Sequence, residues 1–196
     1  AFTVGVCKYL SSLGIEVSFI SAVSSSALTL ATWVAEGLKT DKLESDNKRL
    51  DSLGDNFIFP KQYLKLAFHL RDNSLFGNDG LLAIINGRKD CGITGIDVDK
   101  LINSKIELRI AVRNETTEES LTISNQDQRF KKDPQIIKLY LQATSSPMGL
   151  LPPVKIGKDF YSDGMYPELD GAFEAGCDTI FIVENGDCKL KCVWYD

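Results

Sequence analysis

Two stretches of the chain carry side chains able to do chemistry together. The first reads Ser21-Ala22-Val23-Ser24-Ser25-Ser26-Ala27-Leu28, a serine-rich turn between a β-prone run at 16–20 (EVSFI) and a helix-forming run at 27–37. A strand-to-helix elbow lifts a hydroxyl clear of a sheet and turns the positive end of the helix dipole toward developing negative charge, the setting a nucleophilic serine needs. Ser24 stands at that point. The usual elbow is G-x-S-x-G, and here Ala22 and Ser26 take the glycine positions. The second stretch, far along the chain, is Ser162-Asp163-Gly164. A Ser-His-Asp triad needs an imidazole, but the only histidine, His69 in residues 64–70 (LKLAFHL), precedes Asp163, opposite to the Ser…Asp…His order. A carboxylate in hydrogen-bond reach can take the serine proton itself when partial burial raises its pKa. Asp163 is the candidate. Each residue also has a purely structural reading, because serine is a preferred helix cap and Asp-Gly a common turn pair.

Periodicity and turn chemistry give the scaffold that holds these residues. Apolar residues at helical spacing from Phe2 to Leu13, stopped by Gly14, predict a first helix. Residues 38–56 are polar and charged and read as a surface insertion. Further helices are expected at 61–70, at 80–85 with Asp79 as cap, and at 98–103. Residues 105–113 (KIELRIAVR) and 120–124 (SLTIS) alternate as neighbouring strands, joined as a hairpin. Pro134 opens a helix at 135–143, and Pro147, Pro152 and Pro153 forbid its continuation. Residues 154–156 and 159–161 form a hairpin around Gly157 that leads straight into Asp163. A helix at 169–176, a buried strand at 179–183 and a last strand at 189–195 complete the chain. Alternating helices and strands with no repeat or linker predict one α/β domain over residues 1–196, a three-layer α/β/α sandwich with a mainly parallel central sheet.

Composition narrows the function. The 196 residues are 43% hydrophobic and carry a formal charge of -5, so there is core enough for one domain and no basic surface for nucleic acid. Five scattered cysteines fit reduced thiols better than a disulfide scaffold, and Cys188 and Cys192 have no further Cys or His nearby to complete a zinc site. No metal or organic cofactor is expected. The apolar run at 27–35 is too short to span a bilayer, so the expectation is a cytoplasmic protein with at most transient contact with a membrane surface.

Residues 147–167 read PMGLLPPVKIGKDFYSDGMYP, after Ala143-Thr144-Ser145-Ser146. Together with the elbow this resembles the patatin-like phospholipases, in which an elbow like G-T-S-A-G-A-L, after a "GVLKALEEAGI"-like helix and a strand, is paired with "A-S-x-x-x-P-x-x-F-P-P-V-x-I-x-G-x-x-Y-x-D-G-G". Gly5-Val6-Cys7-Lys8-Tyr9-Leu10, the elbow and residues 143–163 come in the same order here. Residues 175–183 resemble the family's "G-A-D-x-I-I-x-V" segment, and Asn73-Ser74-Leu75-Phe76 its "S-L-F-D". The resemblance implies a lipid acyl hydrolase of phospholipase A or acyl esterase type, working through an acyl-enzyme on a Ser24–Asp163 dyad. It also implies a Gly-rich G-G-G-x-K/R-G oxyanion segment, expected upstream because this chain starts at the helix that comes after it. Within the chain the Ser25 N–H is the candidate oxyanion donor and Gly164 a supporting residue. The family's second small residue after Asp-Gly is Met165 here, expected to crowd the serine. With Ala22 and Ser26 it motivates an alternative, a catalytically silent domain that binds lipid or a partner. A third option is an unrelated α/β binding domain in which residues 21–26 cradle a phosphate.

Overall fold

The computed structural model describes residues 2–53, 74, 77–184 and 189–194, with side chains through residue 183. The expected helix at 61–70 with its His69 lies outside the described residues, as do residues 185–188. In chain order the elements are α1 (Phe2–Ser12), β1 (Phe19–Val23), α2 (Ser25–Ala35), α3 (Asp41–Leu53), α4 (Asp79–Asn86), α5 (Val98–Ile102), β2 (Glu107–Asn114), β3 (Glu119–Ser124), α6 (Gln128–Lys132), α7 (Gln135–Thr144), β4 (Val154–Ile156), β5 (Asp159–Asp163), α8 (Asp170–Glu174), β6 (Thr179–Glu184) and β7 (Lys189–Trp194).

The fold is mixed α/β, and its sheet corrects the expectation of mainly parallel strands. Among the described strands of the main sheet only β1 and β2 run parallel, while β2–β3, β2–β5 and β4–β5 are antiparallel. A parallel neighbour needs a long crossover, usually through a helix. Instead β2 turns back through residues 115–118, and β4 turns back at Gly157 with φ +64°. β6 is corrected as well. It is partly exposed rather than buried, and it pairs with β7 in a separate two-stranded sheet.

Register on β2 decides where the chain's two reactive stretches go. β3 covers Arg109 to Asn114 along one edge of β2. β1 pairs with Glu107 to Ala111 and β5 with Val112 to Asn114, so both lie on the other edge. β1 ends with Val23 opposite Ala111, and β5, running the opposite way, ends with Asp163 opposite Val112. Two strands thus meet end to end on one edge. Each delivers its last residues to the same point.

Alternation along β2 points Leu108, Ile110 and Val112 to one face, where they pack with Ala27, Leu28 and Ala31 of α2 and with Ile137 and Leu141 of α7. Full burial of such side chains stabilises by about 1.5–3 kcal/mol each. The opposite face presents Arg109. A second cluster of Cys7, Leu10, Trp33 and Leu43 joins α1 and α3 to α2, and the Trp33 Nε1–H donates to the Leu38 carbonyl at 2.8 Å. Edge-on ring contacts run from Phe130 to Tyr140 (6.0 Å between centroids) and from Tyr140 to Tyr161 (5.5 Å), so α6, α7 and β5 are locked in line.

Several boundaries move. β1 runs three residues later than EVSFI, because its ladder to β2 begins at Phe19. Asn78, not Asp79, stands at the cap position of α4. Helix α6 is absent from the sequence reading; at five residues it is too short to show a period, and its sign is Asp127, whose carboxylate accepts from the Arg129 N–H at 2.8 Å. Cys7 and Cys91 are buried free thiols and Cys177 is a partly exposed one. Among the described residues no helix is long and apolar enough to cross a membrane.

Candidate active site

β1 leaves the sheet at Val23, and α2 starts two residues later, so Ser24 must make the whole change of direction. It does so at φ 60° and ψ -150°, a region that L residues other than glycine rarely adopt and that costs about 1–3 kcal/mol. Such strain persists only where neighbours over-determine it. The Ser24 side chain makes no cap bond to the helix. Its hydroxyl donates instead to Asp163 Oδ2 at 2.8 Å. The hydroxyl is therefore committed to the carboxylate, and the helix-cap reading of Ser24 does not hold.

The C-terminal end of α7 clamps both halves of this pair. The Ser24 N–H donates to Thr144 Oγ1 at 2.9 Å, and that hydroxyl donates to the Ala111 carbonyl of β2 at 2.7 Å. Ser145 Oγ donates to the Ser24 carbonyl at 3.3 Å. The Asp163 N–H donates to the Ser146 carbonyl at 3.1 Å. Three consecutive residues of one helix end thus hold the backbone of the serine and of the aspartate. Gly164 completes the junction: a Cβ there would lie 2.6 Å from the Ala111 carbonyl carbon and oxygen. Only glycine lets the chain after Asp163 pass so close to β2.

Burial pushes the Asp163 carboxyl up from an ordinary 3.8 to about 6; the Ser24 hydroxyl and the Gly164 N–H act in the other direction and do not offset it. Its second oxygen, Oδ1, is buried and accepts no hydrogen bond among the described residues. A carboxylate in this state is a stronger base than a solvated one, and at neutral pH it is still mostly ionised. A charge-assisted bond to a hydroxyl then polarises the O–H toward the carboxylate.

The remaining expected residues take distinct places. Ser25 is exposed at the first position of α2, where helix N–H groups lack intrahelical acceptors. Ala22 is buried, and Ser26 Oγ donates back to the Val23 carbonyl at 2.5 Å, so both fit where the usual elbow has glycine. Met165, expected to crowd the serine, is 63% exposed. Ser162 Oγ bonds the Glu115 carboxylate one residue before the aspartate.

Arg109 anchors the segment after Asp163. Its guanidinium donates to Glu107 (2.8 Å), Glu168 (2.9 Å) and Glu174 (3.1 Å), and it lies 5.2 Å from the Phe19 ring centre. The Glu168 N–H donates to Ser21 Oγ at 2.8 Å. The chain behind the aspartate is thereby pinned to β1 and β2. Sequence reasoning missed the roles of Thr144, Ser145, Ser146 and Arg109. The run Thr144-Ser145-Ser146 before Pro147 is the one signal, because three hydroxyls at a helix end have backbone groups to satisfy.

A cavity of about 220 Å³ opens between α4 and α7, lined by Leu82, Ile85, Ile136 and Leu139, and another of about 310 Å³ lies beside Asn103 and Gln126. Neither touches the Ser24–Asp163 pair. Among the described residues no cluster of three His, Cys, Asp or Glu side chains could hold a metal ion. Comparison of the chain with family models and with curated proteins found no match.

Proposed function

We propose that the chain is a serine acyl-ester hydrolase of the patatin-like phospholipase type, in a three-layer α/β/α arrangement, with Ser24 as nucleophile and Asp163 as base. One observation carries the reading: a serine held at φ 60° at the head of a helix, its hydroxyl 2.8 Å from a carboxylate whose pKa is raised to about 6. Ser24 Oγ attacks the ester carbonyl carbon as Asp163 takes its proton, and the carbonyl π pair moves to oxygen. The Ser25 N–H donates to that oxyanion, with the α2 dipole behind it. Collapse breaks the bond to the alcohol oxygen, which leaves with the proton from Asp163. Water then attacks the acyl-serine by the same steps, with Asp163 again taking the proton, and Ser24 is regenerated.

Lipid is the substrate class we favour. The loops after Ser146 and Asp163 expose Met148, Leu150, Met165 and Tyr166, which gives the surroundings of the dyad an apolar character suited to an acyl chain or a membrane surface. The test is turnover of a chromogenic acyl ester by the purified protein and by Ser24→Ala. Turnover lost in the variant supports the assignment; undiminished turnover removes it.

A second reading, a silent lipid-binding or interaction module, is motivated by Ala22 and Ser26 at positions where the usual elbow has glycine and by Met165 after Asp-Gly. In that case the wild-type protein hydrolyses no ester, yet still binds phospholipid vesicles.

A further inference from the structure

Thr144 is fully buried, and its hydroxyl sits between two backbone groups, the Ser24 N–H and the Ala111 C=O. A hydroxyl has one hydrogen, and a backbone N–H can only donate. The polarity of the chain is therefore fixed: Ser24 N–H donates to Thr144 Oγ1, and Thr144 O–H donates to Ala111 O. Ala111 is the residue of β2 against which Val23 ends β1 and over which Gly164 passes. One side chain thus ties the strained turn to the strand that both reactive stretches share.

We infer that Thr144 is the positioning residue of the site: its hydroxyl holds Ser24 at φ 60° and ψ -150°, and it takes the Ser24 N–H out of reach of a substrate. The inference rests on the acyl-transfer reading only for its consequence in rate. Among the described residues the N–H groups of Ser25 and Ser26 have no backbone acceptor, whereas Ala27 N–H returns to the Ser24 carbonyl. With Ser24 N–H occupied, oxyanion donors from this turn come from Ser25 onward. Without the hydroxyl, Ser24 N–H and Ala111 C=O both lose a partner in a buried place, and the turn relaxes toward an ordinary backbone conformation. That relaxation lowers the population of the reactive geometry by about 10- to 100-fold.

The experiment compares Thr144→Val, Thr144→Ser and a control in the same helix, Ile137→Ala, which loses core packing alone. Three quantities are read on the full chain below its unfolding temperature: the rate of Ser24 labelling by a fluorophosphonate, KM against kcat for an acyl ester, and hydrogen exchange at the Ser24 amide. The expected result is labelling and kcat reduced by about 10- to 100-fold in Thr144→Val, with KM little changed and the Ser24 amide deprotected. Thr144→Ser keeps the hydroxyl and stays close to wild type, as does Ile137→Ala. Wild-type rate and protection in Thr144→Val would overturn the inference. So would a Thr144→Ser protein slowed about 10- to 100-fold relative to wild type, since packing and not the hydroxyl would then be at work; this arm remains decisive if Thr144→Val does not fold. If the wild type takes no label but Thr144→Val still deprotects the Ser24 amide, the clamp stands and the acyl-transfer reading falls.

Discussion

Replacing Asp163 by Asn should make the protein more stable and far less active, with both effects depending on pH. A carboxyl whose pKa is higher in the folded than in the unfolded chain binds its proton more tightly when folded. Its contribution to stability is therefore full below 3.8 and is lost as pH rises through about 6. The rise from 3.8 to about 6 corresponds to about 3 kcal/mol at 1.36 kcal/mol per pH unit. Partial solvent access to the carboxylate reduces this to about 1–2 kcal/mol. Asparagine is neutral at every pH and still accepts the Ser24 hydrogen bond. At pH 8 the variant should melt roughly 2–8 °C above wild type for a chain of this size, and most of the gap should close by about pH 4.5, where the folded wild-type carboxyl is protonated. Activity moves the other way. Wild-type ester turnover should fall about tenfold from pH 7 to pH 5 as the base is protonated. The variant should lose about 100- to 10,000-fold at pH 8 and show no step near pH 6. Paired melting curves and pH–rate profiles measure both. A variant less stable than wild type at pH 8, or a melting gap equal at both pH values, would refute the reasoning that a buried charge is held here at the expense of stability.

Gly164→Ala should destabilise by at least about 1–3 kcal/mol, because its Cβ would meet the Ala111 backbone at 2.6 Å; a melting temperature equal to wild type would count against that close approach. Arg109→Gln removes the hub that joins Glu107, Glu168 and Glu174. It should cost about 1–3 kcal/mol and speed amide exchange in residues 164–175, with little change in residues 135–144. Exchange unchanged behind Asp163 would mean that other contacts pin that segment.

The legible parts of this chain are those whose signals are local. A β-prone run, a serine turn and a helix-forming run identify the elbow, and Gly157 with its flanking strands leads to Asp163. Direction of pairing was not legible: alternation over residues 105–113 marks a strand and its two faces but says nothing about which neighbour runs which way. The two hairpins held the clue, since each adds an antiparallel pair to the sheet. That β1 and β5 meet end to end on β2 depends on register alone, which no single segment encodes. Thr144 was visible only as one of several small residues before a proline. Its place between Ser24 and Ala111 arises from helix α7 ending at the junction of three strands. Ser26, at a position where glycine is usual, turns its hydroxyl back to the Val23 carbonyl, a local solution that composition does not reveal.

Activation of the Ser24 hydroxyl by Asp163, for attack on an acyl carbon, is open to direct measurement by intact-mass and peptide mass spectrometry after treatment with a fluorophosphonate. One adduct on the peptide that contains Ser24, absent from Ser24→Ala and slowed at least about 100-fold in Asp163→Asn, is the predicted result. No adduct at Ser24 in the folded protein, or equal labelling in Asp163→Asn, would contradict it.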